Sequence, residues 1–193
     1  MIKTHGVALL ITLVAPMALL ASDADPCPEL TGKDPAARAE YLRGDRSKLT
    51  APCIVNAIRY VGGKHYIQGS GVLIQYLDYR DPEYVRRTDA KGSMVMYLFP
   101  AVDGFLGLGK VVVPELISTI SNVDTTELVR QNAAEAVTLI YGSNVPDAIG
   151  VLVNAARAQT DPIASIRLMD QARRLVAKCI PESKLDCEYA LWK

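Results

Sequence analysis

The stretch DTTELVRQNAAEAVTLIYG, residues 124–142, places Val129, Ala133, Ala136, Val137 and Ile140 at helical spacing, so one face is apolar. Asp124 stands at its start, and Glu127 follows three residues later, the spacing of a capping box. Gly142 closes it. Parts of this pattern occur elsewhere. DPEYVRR begins at Asp81 and DPIASIR at Asp161, and each Asp reaches an Arg (Arg86 or Arg87, then Arg167) after five or six residues. Asp124 reaches Arg130 in the same way. The recurrence is open to two readings: an acid and base pair used for chemistry, or the punctuation of a structural repeat.

Helical periodicity cut by Asp, Pro and Gly dominates the rest of the chain, and strand signals are sparse. DPAARAEYLRG from Asp34 reads as a helix with Asp at the N-cap and Pro at the first position. TAPCIVNAIRYVGG follows, capped by Thr50 and ended by Gly62 and Gly63. KHYIQGSGVLIQYLDY reads as the next helix, with Ile67, Gly71, Ile74 and Leu77 on one face. The segment from Arg80 to Gly109 is irregular, interrupted by Gly92, Pro100 and Gly104. KVVVPELISTISN, NVPDAIGVLVNAARAQ and DPIASIRLMDQARRLVAKC are clean helices. LDCEYALWK is expected to form a terminal turn that lays Leu191 and Trp192 on the core.

Two landmarks alternate along the chain. Gly62, Gly109 and Gly142 each precede a helix, and Asp81, Asp124 and Asp161 each begin the following one. VPEL at Val113–Leu116 and VPDA at Val145–Ala148 repeat a first-turn signature, in which Pro needs no hydrogen-bond partner and the acid meets the positive end of the helix dipole. Helix pairs recurring at about 40 residues resemble HEAT repeats. The residues that carry the resemblance are Asp124 with Arg130, Asp161 with Arg167, the Gly109 and Gly142 turns, and Pro114 and Pro146. Coverage is good over 105–178 and fair over 50–87.

The resemblance implies an all-α, HEAT-like α-solenoid of about three antiparallel helix pairs with irregular N- and C-terminal caps. It also implies that the Asp and Arg residues form a ladder between neighbouring units. In such proteins the second helix of each pair lines the binding surface. By helical phase its solvent side here holds Gln68, Gln75, Glu115, Ser118, Asn154 and Arg157. The partner implied is a protein or peptide.

The N-terminus supplies an address. Lys3 gives a basic start, Val7–Ala21 is an uncharged apolar run, and small residues at Leu19–Ala21 and Ser22–Ala24 offer cleavage sites. This is the layout of a secretory signal peptide over residues 1–24, leaving one domain at 25–193. The run contains Pro16 and falls short of the roughly 20 apolar residues of a membrane span. Export to a periplasmic or extracellular space is expected. No further span is expected after cleavage.

Lys3 and Asp23 are the only formal charges in the signal segment, and the whole chain carries 21 basic and 21 acidic residues. That balance argues against a general nucleic-acid binder, which shows a basic excess. The four cysteines, Cys27, Cys53, Cys179 and Cys187, sit as an N-terminal and a C-terminal pair. Three pairings are possible in an oxidising compartment. Pairing within each end is favoured, closing the two ends of the array. Metal ligation needs tighter clusters.

No catalytic constellation stands out. His65 is the single histidine after residue 24, and with Tyr66 it is the basis for an enzyme or enzyme-accessory reading. GFLGLGK at residues 104–110 lacks phosphate-loop spacing and reads as a helical turn. Met94 and Met96 are too few for a soft copper site and suit core packing. Tyr76, Tyr79 and Tyr84 cluster around one turn, fitting partial burial or a contact patch. No cofactor is implied. The leading expectation is a non-catalytic binding or scaffold module. A purely structural envelope component is the third possibility.

Overall fold

Asp, Asn, Pro and Gly punctuation divides the chain into helices, with no strand among the described residues. The computed structural model describes residues 27–87, 95–142 and 144–193. The expected signal peptide, Met94 and the side chains of Arg86 and Arg87 lie outside the described residues. In chain order the helices are α1 (Pro35–Leu42), α2 (Ala51–Gly63), α3 (Ser70–Ile74), α4 (Pro82–Arg87), α5 (Val95–Leu98) and α6 (Pro100–Leu108). They continue as α7 (Val113–Ser121), α8 (Glu127–Ile140), α9 (Val145–Ala158), α10 (Pro162–Lys178) and α11 (Lys184–Trp192).

Capping sets several starts as the sequence implies. Asp34 accepts from Ala37 N at 2.7 Å, and Pro35 takes the first position of α1. Asp81 accepts from Glu83 N at 2.9 Å, and Asp161 accepts from Ile163 N at 2.9 Å. The start of α8 differs. Its N-cap is Thr126, which accepts from Val129 N, while Asp124 lies in the preceding turn with its own N–H on Asn122 Oδ1. Glu127 is therefore the first residue of the helix and forms no capping box.

Two other expectations are corrected. Lys64–Tyr79 does not form one helix. A left-handed residue at His65 (φ 52°) and a 3₁₀ turn over Ile67–Gly69 shift the phase before α3 begins. Val72, Leu73, Tyr76 and Leu77 are buried, whereas Ile67 and Gly71 of the expected face are exposed. At the other end Trp192 is 80% exposed rather than laid on the core. Fully buried Cys187 fixes the inward face of α11, and at 100° per residue Leu191 falls near that face and Trp192 does not.

The buried side chains form one cluster running from Cys27 to Cys187, with Ile58, Leu73, Tyr76, Phe105, Leu116, Ile149 and Leu168 among its largest members. Each such side chain contributes roughly 1.5–3 kcal/mol on burial. Helices α2 and α6 cross closely. A Cβ on Gly62 would stand 2.4 Å from Gly104 O, and one on Gly107 would stand 2.6 Å from Gly62 C. GFLGLGK thus brings two backbones together, with Gly104 and Gly107 facing α2.

Polar ties join the helices, and they are not the expected ladder. Arg130 stays local, bonding Glu127 and Thr125 O. Arg167 does cross, donating to Asn122 O at the end of α7. Buried Asn132 of α8 donates to Leu77 O at 2.6 Å. Glu127 accepts from Arg174 of α10 at 2.8 Å, and Lys178 reaches Glu135 at 2.6 Å. Gln171 of α10 is 3% exposed and turns its amide toward Glu127. Cys27 and Cys53 meet at disulfide distance with Cα atoms 5.2 Å apart, as do Cys179 and Cys187 at 6.7 Å. Both pairings fit an oxidising environment.

Candidate functional site

The six expected binding residues are all exposed, and they lie on three separate parts of the fold. Gln68 and Gln75 flank the short α3. Glu115 and Ser118 share the outer face of α7, one turn apart, and Asn154 and Arg157 do the same on α9. Helix α10 packs against both α7 and α9. Asn154 lines a cavity. Arg157 is already engaged, donating to the carbonyl oxygens of Lys193 and Trp192 and so holding the last turn of α11.

That cavity is a groove of 600 Å³ between α9 and α11. Gly150 and Asn154 come from α9, Tyr189 and Asp186 from α11, and Tyr141 and Asp147 from the turn and first turn beside them. Asn144 caps α9 by accepting from Asp147 N and donates its amide to the Asp147 carboxylate at 2.7 Å. This fixes the carboxylate at the rim. Lys110 Nζ stands 4.5 Å from the centre of the Tyr141 ring. A Cβ on Gly150 would meet nothing within 4 Å, so the floor has free space. Aromatic rings beside carboxylates and an amide can hold a peptide segment by stacking and hydrogen bonding.

A second cavity of 550 Å³ lies between α1, α2 and the start of α4. Arg38, only 8% exposed, forms part of its wall. Its guanidinium sits 3.9 Å over the Tyr60 ring and donates to Leu30 O at 2.8 Å, to Lys33 O at 3.1 Å and to Asn56 Oδ1. Arg59 is on the same wall and pairs with Asp103 of α6 at 3.5 Å. Burial raises the Asp103 carboxyl above the ordinary range, and the Arg59 charge opposes this.

His65 lines neither cavity. It is the left-handed residue of a Schellman motif that ends α2: Tyr66 N donates to Val61 O at 3.1 Å and His65 N to Gly62 O at 2.9 Å. Its Nδ1 bonds Gly107 O, which can only accept, so that nitrogen carries the proton. The exposed ring thus ties the end of α2 to α6. Tyr76 is buried with its hydroxyl on Leu42 O at 2.8 Å, Tyr79 meets it edge-on at 6.0 Å, and Tyr84 packs on Tyr97. Burial raises the Tyr76 and Tyr79 hydroxyls above the usual phenol range.

The chain matches no protein-family model, no curated protein and no solved structure. Sequence reasoning missed the Arg38 cavity. A signal was present: Arg38 shares the apolar face of α1 with Ala39 and Leu42, where a charge requires an explanation.

Proposed function

We propose that the chain is a non-catalytic exported module, built from HEAT-like helical repeats, that binds a protein or peptide in the groove between α9 and α11. The open floor at Gly150, between the Asn154 amide and the Tyr189 ring, carries the reading. The repeat reading draws support from packing order. Helix α6 packs on α8 and α8 on α10, while α7 packs on α8 and α9 on α10, as in a stack of hairpins. Export draws support from the signal-like N-terminus and the two cysteine pairs at disulfide distance.

The test is a crosslinked pull-down from the native envelope fraction, comparing the parent chain with Gly150→Gln/Asn154→Ala. The glutamine fills the floor without touching the core. Loss of a groove-crosslinked partner at an unchanged melting temperature is expected. Equal recovery from parent and variant would sink the groove assignment. A parallel Glu115→Ala/Ser118→Ala variant asks whether the α7 face contributes.

A further inference from the structure

The cavity at α1, α2 and α4 is distinct from the proposed groove, and its charge is unusual. A cation more than nine-tenths buried is ordinarily paired with an acid. Among the described residues no carboxylate lies within ion-pair distance of Arg38, whose partners are two carbonyls, one amide oxygen and a ring face. A guanidinium has five N–H donors, so donors remain beyond the three bonds made. Asn56 uses its oxygen on Arg38, which leaves its amide hydrogens for another acceptor. Asp81 lines the same cavity, and its Oδ1 accepts from Glu83 N and Tyr84 N; a carboxylate offers about four acceptor positions, so capacity is left. The lining thus takes donors and positive charge from α1 and α2 and negative charge from the start of α4. The volume of 550 Å³ falls within the ordinary range of small-ligand clefts, about 300–1,000 Å³.

We propose that this cavity binds a small zwitterion, a free α-amino acid or short peptide, with its carboxylate on Arg38 and Asn56 and its ammonium toward Asp81. The ligand carboxylate supplies the counter-charge that no described residue places beside Arg38. A planar carboxylate also matches the guanidinium edge. A phosphate dianion fits less well, because the Asp81 carboxylate lines the same space.

The proposal is tested by calorimetric titration of the oxidised chain with alanyl-alanine, its C-terminal amide, its N-acetyl derivative, free alanine and inorganic phosphate. The dipeptide is expected to bind, and the amide and N-acetyl forms to bind at least about tenfold more weakly, the loss of one charge-assisted contact. Free alanine at equal affinity assigns the site to amino acids, and weaker binding assigns it to peptides. Two variants sharpen the result. Asn56→Asp gives Arg38 an internal counter-ion, so it is expected to abolish binding while the melting temperature holds or rises. Asp81→Asn keeps a capping oxygen and is expected to weaken the dipeptide about tenfold but leave the N-acetyl form unchanged. Absence of heat at millimolar dipeptide would overturn the proposal. So would equal binding of acid and amide, phosphate binding as tight as the dipeptide, or undiminished binding by Asn56→Asp.

Discussion

Adding one methyl group at Gly62 is a sharp test of how the helices are packed. The new Cβ would stand 2.4 Å from Gly104 O, 2.6 Å from Gly104 Cα and 2.9 Å from Gly104 C, all backbone atoms. No side-chain rotation relieves such a contact. Helix α2 or α6 must move by about 0.6 Å or more to reach even a 3.0 Å separation. Ala gains about 1 kcal/mol over Gly in helix propensity. Overpacking costs about 1–3 kcal/mol, and the displaced helices loosen their other contacts as well. Gly62→Ala is therefore expected to destabilise by about 1–2 kcal/mol net. The neighbouring Gly63 is the control, since its Cβ would meet nothing within 4 Å. Gly63→Ala is expected to be neutral or up to about 1 kcal/mol stabilising. Urea unfolding of the oxidised variants, followed by far-ultraviolet circular dichroism, reads the difference as a shift in midpoint at constant slope. If Gly62→Ala is as stable as Gly63→Ala, the close crossing of α2 and α6 is wrong.

Four further outcomes follow from the polar structure. Asp161→Ala and Thr126→Ala should each cost about 1 kcal/mol in urea unfolding, because each removes an N-cap acceptor, while Asp124→Ala should fall within about 0.5 kcal/mol of the parent. Burial raises the Glu127 carboxyl, but hydrogen bonds from Gln131 and Arg130, the Arg174 charge and the Gln171 amide outweigh this and leave it below the ordinary range. Its folded value is thus depressed, so its contribution is present above about pH 4.5 and is lost as pH falls through the folded value; Glu127→Gln should flatten stability against pH in that acid window. Asp103 runs the other way, since its raised folded value adds stability below about pH 4 that is lost as pH rises through that value, and Asp103→Asn should remove this slope. His65→Ala keeps the left-handed backbone cost and loses the bond to Gly107 O, so it should destabilise by about 1 kcal/mol in thermal or urea melts, whereas His65→Gly should be nearly neutral because relief of φ 52° offsets the lost bond.

Helix existence was legible because its signals are local. Asp34, Asp161 and Pro35 act within one turn of the helix they start, and a single sequence displays them. Phase within the Lys64–Tyr79 segment was not legible. It depends on a left-handed residue that is not Gly, and His65 holds that conformation partly through a bond to Gly107, 42 residues away. The ties between units were hidden for the same reason. A buried Asn132 amide meets Leu77 O only after two segments dock. The expected surface was half legible: exposure of all six residues follows from helical phase, but engagement of Arg157 by Trp192 and Lys193 depends on where α11 folds back.

The recurring Asp and Arg landmarks therefore separate into two physical jobs. Asp81 and Asp161 act on their own backbone, where they fix a helix start within one turn, whereas Asp124 leaves that task to Thr126. The Arg residues reach whatever acceptor the neighbour presents, a carbonyl for Arg167 and a residue of its own helix for Arg130. The same division explains why the Arg59–Asp103 pair matters to the N-terminal cavity. The glycine crossing lets α2 and α6 approach closely, and half-buried Asp103 is the residue next to Gly104. Its carboxylate pairs with Arg59 on the cavity wall. A methyl group at Gly62 should thus do more than lower stability: by forcing α6 away it should loosen Arg59 from Asp103 and weaken zwitterion binding at a temperature where the chain is still folded. Unchanged titration of folded Gly62→Ala would separate the cavity from the crossing and leave Arg38 as the anchoring cation.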